Sequence, residues 1–155
     1  MKGQKTLFSH KSDEWETPQD FFDELDKEFH FDIDVCATNE NAKCATYFGL
    51  DNGMDGLTTP WEMPWGFARV WCNPPYSNIK EWAKKCSEHK GTAVMLVSAR
   101  TDTKWFHEYC YQKPNVEIRF VKGRLKFGEG KNSALFPSMV VIFRNEETRE
   151  HLSAR

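Results

Sequence analysis

Hydrophobic residues recur along this chain at two different spacings, and the switches between them divide it into elements. Phe21, Phe22, Leu25 and Phe29 repeat at helical spacing. Thr17 is the predicted N-cap of that helix, with Pro18 as its first residue and Asp20 three residues past the cap. Phe31, Ile33 and Val35 then alternate with Asp32 and Asp34, predicting a strand that ends at Cys36-Ala37. Thr38 to Ala45 reads as a short helix or loop, and Thr46-Tyr47-Phe48 as a short second strand. From Gly49 to Gly66 the chain is rich in Gly, Pro, Asp and Asn, which predicts loop. Arg69 to Cys72 is a predicted strand. Asn78 to His89 is a predicted helix with Ile79, Trp82, Ala83 and Cys86 on one face. Thr92 to Ser98 is a continuous apolar run, as in a strand buried on both faces. A helix over Thr103 to Tyr111 and strands over Val116 to Val121 and Ser138 to Phe143 complete the pattern.

Strands alternating with helices predict an α/β fold, a mostly parallel sheet with helices on both faces. The last two strands have no helix between them, so they are expected to be antiparallel. At 155 residues the chain is expected to form one domain over residues 15–145, with an arm over 1–14 and a tail over 146–155. Open α/β sheets take their ligands at the carboxyl ends of the strands. Asp34, Cys36, Asn73 and Ser98 to Arg100 all fall at such ends.

The formal net charge of −2 excludes a global cationic field, so any nucleic-acid contact has to come from a local basic patch. Six Trp and twelve Phe exceed what a small core is expected to use, and stacking on bases is one use for the surplus. The five cysteines form an odd set with no C-x-x-C pair. That argues against a disulfide framework and against a structural zinc site, and favours reduced, mostly buried thiols. No apolar run approaches membrane-spanning length, and no apolar segment follows the basic first residues; a soluble, cytoplasmic protein without membrane or metal is expected.

The sharpest chemical signal is Asn73-Pro74-Pro75-Tyr76, directly after the apolar Val70-Trp71-Cys72. Each proline fixes its own φ and disfavours the helical region in the residue before it, so Asn73 and Pro74 are held extended. The result is a stiff loop offering an amide oxygen, a backbone carbonyl and an aromatic face, which suits a planar amine. An ordinary Pro-Pro turn is the structural alternative; the position between a strand and a helix favours the site. Asp34 and Asp55, the latter in Asp55-Gly56-Leu57, each read equally well as a ligand contact or as a turn cap. Lys122, Arg124, Lys126 and Lys131 form a Gly-containing loop able to reach phosphates or simply to be solvated. Arg100, Asp102 and Lys104 follow the central strand. Neither a phosphate-binding Gly-x-x-x-x-Gly-Lys nor a Gly-x-Gly-x-x-Gly occurs.

From Trp15 to Arg144 the chain resembles the phage-type DNA N6-adenine methyltransferases (Dam-like). The resemblance is carried by Trp15-Glu16-Thr17-Pro18-Gln19-Asp20-Phe21-Phe22, Asp34-Val35-Cys36-Ala37-Thr38, Asn41-Ala42-Lys43-Cys44, Asp55-Gly56-Leu57 and Val70 to Tyr76. It continues through Ala99 to Phe106, Gly123 to Phe127, Lys131-Asn132-Ser133-Ala134 and Phe136-Pro137-Ser138. It implies a Rossmann-like, S-adenosyl-L-methionine-dependent methyltransferase sheet, mostly parallel with one antiparallel closing strand. Trp15, Thr17 and Pro18 would lie at the methionine end of the cofactor, Asp34, Cys36 and Ala37 along it, and Asp55 at its adenine. The Gly-rich first motif of broader methyltransferases is absent.

Asn73, Pro74, Pro75 and Tyr76 would be catalytic, acting on an adenine flipped out of double-stranded DNA. There is no room for a separate target-recognition domain. Arg100, Lys104, Lys122, Arg124, Lys126, Lys131, Asn132, Ser133 and the N-terminal arm are then the candidates for DNA contact. No covalent cysteine intermediate is required, so Cys72 is expected to be dispensable for chemistry. The resemblance further implies a phage or prophage enzyme in the bacterial host cytoplasm, with protection from restriction as its first biological reading. Two other readings stay open: methyl transfer to another amine (cytosine, RNA or protein glutamine), and a catalytically silent DNA-binding relative.

Overall fold

The structure is a computed structural model that describes residues 16–127, 132–133 and 136–145, with the backbone alone at 127, 132 and 133. Trp15, Lys131, the predicted arm and the predicted tail lie outside the described residues. A six-stranded sheet forms the centre. Its strands are β1 (Ile33–Asp34), β2 (Thr46–Tyr47), β5 (Val70–Cys72), β6 (Thr92–Ser98), β7 (Val116–Phe120) and β10 (Ser138–Arg144), in spatial order β2-β1-β5-β6-β10-β7. Two small hairpins, β3 (Glu62–Met63) with β4 (Gly66–Phe67) and β8 (Lys126–Phe127) with β9 (Asn132–Ser133), stand apart from it.

The pairings β2–β1, β1–β5 and β5–β6 are parallel, while β10 runs antiparallel to both β6 and β7. The expected antiparallel strand is therefore present. It lies inside the sheet, between β6 and β7, and β7 takes the edge. Composition explains the choice. Ser138 to Phe143 is apolar on both faces and buried throughout, whereas Val116-Glu117-Ile118-Arg119-Phe120 alternates and is only half-buried. The strand with two apolar faces takes the interior, and the alternating one tolerates solvent.

Helix α1 (Gln19–Phe29) covers one face, burying Phe22, Leu25 and Phe29 against Trp71, Val94, Leu96, Val140 and Ile142. Helices α2 (Ile79–Glu88) and α3 (Lys104–Tyr109) cover the other, with Trp82, Ala83, Cys86, Trp105 and Phe106 against Val70, Cys72, Met95, Val97, Met139 and Val141. Each of the larger aliphatic and Phe side chains among them contributes about 1.5–3 kcal/mol on burial. α1 ends at His30, whose left-handed backbone (φ 54°) lets its N–H bond the Asp26 carbonyl at 2.8 Å.

Two expectations need correction. Thr17 does not cap α1: the cap position falls on Pro18, and no side chain caps the helix. Its hydroxyl is used elsewhere, as described below. The strand predicted over Phe31 to Val35 has regular pairing only at Ile33–Asp34, because the Asp32 and Ile33 amides converge on one carbonyl, that of Arg69. This breaks the alternation, so Phe31 joins the α1 side of the core while Ile33 and Val35 join the other. Thr38 to Ala45 forms turns, not a helix.

Candidate active site

The parallel strands β1, β5 and β6 all end on the same edge of the sheet, and the predicted site loops gather there. β5 ends at Cys72, from which Asn73-Pro74-Pro75 leads into a 3-10 turn, Tyr76–Asn78, and then α2. Pro75 is extended (φ −70°, ψ 150°), as its ring demands. Asn73 Nδ2 donates to Thr17 Oγ1 at 3.0 Å. Thr17 is buried, so the segment before α1 is brought directly onto the Asn-Pro-Pro-Tyr loop.

Tyr76 packs edge-on against Phe136, with ring centres 5.6 Å apart, and its hydroxyl is hydrogen-bonded at Ser98. Burial raises the Tyr76 pKa, with Ser98 and the Arg100 charge pulling the other way. Arg100 lies 5.7 Å from the Tyr76 ring centre and 5.6 Å from that of Phe136, and its Nε donates to Ser98 Oγ at 3.0 Å. Its guanidinium therefore covers two aromatic rings at the mouth of the site. Ser138 pairs with Ser98 across β10 and β6, and its buried Oγ has no hydrogen-bond partner among the described residues. Ser98 was placed at a strand end by sequence, while Phe136 and Ser138 were given no role. The only local signal for Phe136 and Ser138 is the Phe136-Pro137-Ser138 run, which gives no hint that it would meet Tyr76.

Asp34 ends β1 inside the protein. Its Oδ1 accepts from the Cys36 amide at 3.3 Å and its Oδ2 from the Lys43 amide at 3.0 Å. Of its two sequence readings, turn capping is the one these contacts display. Burial pushes its carboxyl up to about 7, against the lowering effect of the two N–H donors. Cys36 follows, its thiol pushed up to about 12 by burial and by the charges of Asp34 and Asp55. Ala37 closes this edge: its amide bonds the Phe48 carbonyl at 3.0 Å, and its own carbonyl comes so near Gly49 that a Cβ there would sit 1.7 Å from it.

Asp55 is exposed, with Oδ1 accepting from the Leu57 amide at 2.9 Å. The loop behind it is clasped by Lys85, whose ammonium donates to the carbonyls of Gly56, Leu57 and Thr59 at 2.9, 3.0 and 2.7 Å. Lys43, quoted in a motif but given no role, is a second clasp. Its Nζ donates to Gln19 Oε1 at 3.1 Å and lies 3.8 Å from Glu16, tying the turns after β1 to the residues around Thr17 and Pro18.

Lys104 stands at the start of α3; Lys122, Arg124 and Lys126 follow β7, the edge strand, and all four are exposed. Asn132 and Ser133 form the strand paired with Lys126–Phe127; their side chains lie outside the description. The structure thus brings Thr17, Asn73, Tyr76, Ser98 and Arg100 together. The Lys122 to Lys126 segment leaves β7 at that same edge, with Val121 and Leu125 packed on the α1 side of the core. Among the described residues no group of three or more His, Cys, Asp or Glu is placed to hold a metal, and no helix is long and apolar enough to cross a membrane.

An α/β protein with a mostly parallel sheet, whose amide- and aromatic-bearing loops meet at the carboxyl edge, is the class that fold and site define together. Residues 4–155 match the family described as DNA N-6-adenine-methyltransferase (Dam). A protein of Haemophilus phage HP1 (strain HP1c1) named DNA N-6-adenine-methyltransferase is 30% identical over 146 residues, covering 86% of this chain and 80% of its own length. The chain belongs to the DNA N-6-adenine-methyltransferase family.

Proposed function

We propose that this protein is a Rossmann-like methyltransferase that moves a methyl group from S-adenosyl-L-methionine to the N6 amine of an adenine flipped out of duplex DNA. The observation that carries the reading is the stiff Asn73-Pro74-Pro75-Tyr76 loop at the carboxyl edge of β5, in a chain of this family. A cofactor joining an amino acid to a nucleoside fits the donor set at that edge. Trp15, Thr17 and Pro18 would hold its amino-acid end, the backbone of Cys36 and Ala37 beside Asp34 its middle, and the exposed Asp55 carboxylate its adenine amine. When bound, this cofactor supplies an electrophilic methyl on a sulfonium.

The protein's own part is to hold and orient the amine. The adenine amino nitrogen is a weak nucleophile because its lone pair is delocalised into the ring. Asn73 Oδ1 and the Pro74 carbonyl accept hydrogen bonds from its two N–H groups and favour a more tetrahedral nitrogen, with its lone pair turned to the methyl. The one proton the amine gives up on methylation passes to solvent. Positioning of this kind supplies about 7–11 kcal/mol in the most favourable cases. Flipping costs a few kcal/mol, and stacking on Tyr76 returns about 1–3 kcal/mol of it.

Arg100, Lys104, Lys122, Arg124, Lys126 and Lys131, with Asn132 and Ser133, contact the phosphates. One domain over residues 15–145 carries these contacts, in the cytoplasm of a bacterial host. Sequencing methylated adenines in DNA from cells expressing the protein tests the reading; enrichment of N6-methyladenine is expected. Methylated cytosine, RNA or glutamine in its place would reassign the acceptor, and absence of any transfer would leave a silent DNA-binding relative. Asn73→Ala is expected to cut transfer at least about 100-fold while cofactor affinity, read by calorimetry, stays within about threefold.

A further inference from the structure

Thr17 occupies a setting that marks a helix cap, one residue before the proline that leads into α1, yet it caps nothing. Its buried oxygen lies instead 3.0 Å from Asn73 Nδ2, across 56 residues of chain. A carboxamide is planar, with oxygen and nitrogen on opposite sides of its carbon, so a partner that holds the nitrogen also sets the direction of the oxygen. The last torsion of an Asn side chain is broad and roughly two-fold. Without such a partner the group can present an NH2 donor where an acceptor is needed, and a donor facing an amine repels it.

We propose that Thr17 is a positioning residue for Asn73: by accepting from Nδ2, its hydroxyl fixes the carboxamide with Oδ1 turned towards the acceptor amine. The inference rests on the reading of Asn73 as the residue that holds the amine.

The frame that keeps Thr17 in place is independent of the hydrogen bond itself. Phe22 of α1 packs edge-on against Trp71 with ring centres 5.2 Å apart, and Trp71 lies two residues before Asn73 on β5. Helix and loop are therefore fastened to the same strand. Lys43 Nζ grips Gln19 and Glu16 on either side of Thr17 and Pro18, so the segment that carries the hydroxyl is held from both flanks. A threonine hydroxyl accepts and donates at once, so this bond leaves its own proton available to another partner. Valine at position 17 keeps the shape and removes the acceptor; serine keeps the acceptor and removes only a methyl.

The test measures Thr17→Val and Thr17→Ser on the full chain in two ways. At saturating cofactor, Thr17→Val is expected to lower kcat for DNA methylation about 10- to 100-fold, as misplacement of a reacting group does, while Thr17→Ser stays within about threefold of the parent. Nitrogen-15 NMR of the Asn73 side-chain amide, independent of activity, is expected to show a hydrogen-bonded NH2 in the parent and in Thr17→Ser and its loss in Thr17→Val.

An unchanged kcat in Thr17→Val, with only cofactor affinity reduced, would overturn the proposal, as would an Asn73 amide signal indifferent to position 17. If the NMR signature responds as expected but the parent methylates no DNA adenine, the Thr17–Asn73 coupling stands and the adenine reading fails.

Discussion

Cys72 lies directly before Asn73 and is fully buried, and its burial together with its hydrogen bond to Cys86 pushes the thiol well above its ordinary value. A thiol held neutral is neither nucleophile nor base, so its proximity to the Asn-Pro-Pro-Tyr loop reflects packing. Cys72→Ala is expected to cost about 1–2 kcal/mol of stability through the small cavity it leaves. Methyl transfer by the folded fraction should remain within about threefold of the parent in a labelled-cofactor assay. A loss as large as that of Asn73→Ala would show that the cysteine takes part in the reaction. Asn73 itself was legible from sequence because two prolines follow it and an apolar strand precedes it. Its partner was not. Thr17 carries a sufficient local explanation as a helix cap, and only the packing of α1 on β5 reveals that its oxygen points the other way.

At the scale of elements, the loop bearing Asp55 depends on a cation borrowed from α2. Lys85 has its ammonium over the Trp61 ring, 4.9 Å from the centre, and three loop carbonyls around it. Desolvation lowers its pKa. Lys85→Met keeps the aliphatic stem and removes the donors. It is expected to lower stability by about 1–3 kcal/mol in urea denaturation and to weaken cofactor binding in calorimetry, with kcat at saturating cofactor little changed. On the opposite face, Arg119 of β7 grips Glu28 of α1 through two hydrogen bonds of 2.8 Å, and Glu117 joins Arg119 and Arg144 at 2.7 Å each. Both arginines also lie over the Phe29 ring. The edge strand is thereby tied to the helix by a network rather than by a lone surface pair, the arrangement in which exposed ion pairs contribute measurably. Helix and strand positions were readable from periodicity. These cross-links were not, since charges on different elements carry no mark of which will meet.

Over the whole molecule, stability should vary with pH in two opposite ways. Asp34, ordinarily near 3.8, titrates at about 7 in the fold because burial penalises its charge. The native state then holds that proton more tightly than the unfolded chain, so the contribution is full below about 4 and is lost as pH rises through about 7. Glu117 is the reverse: Arg119 and Arg144 hold its carboxyl down at about 2, so its contribution is present above 4.5 and lost as pH falls towards 2. Asp34→Asn is expected to lower stability by about 1–3 kcal/mol, since its oxygen can accept from only one of the two backbone amides and its NH2 donor faces the other. It should also flatten the decline in urea midpoint between about pH 4 and about pH 7; an undiminished decline would place the responsible proton elsewhere. By itself the chain determined its α/β class, the residue types of the site and their position at strand ends, because periodicity and proline stereochemistry act within a few residues. Tertiary structure decided that β10 enters the sheet between β6 and β7, that Arg100 covers Tyr76 and Phe136, and that Thr17 serves Asn73. Each of these joins residues far apart in sequence, and such contacts are chosen by which buried surfaces and polar groups fit together once the chain has collapsed.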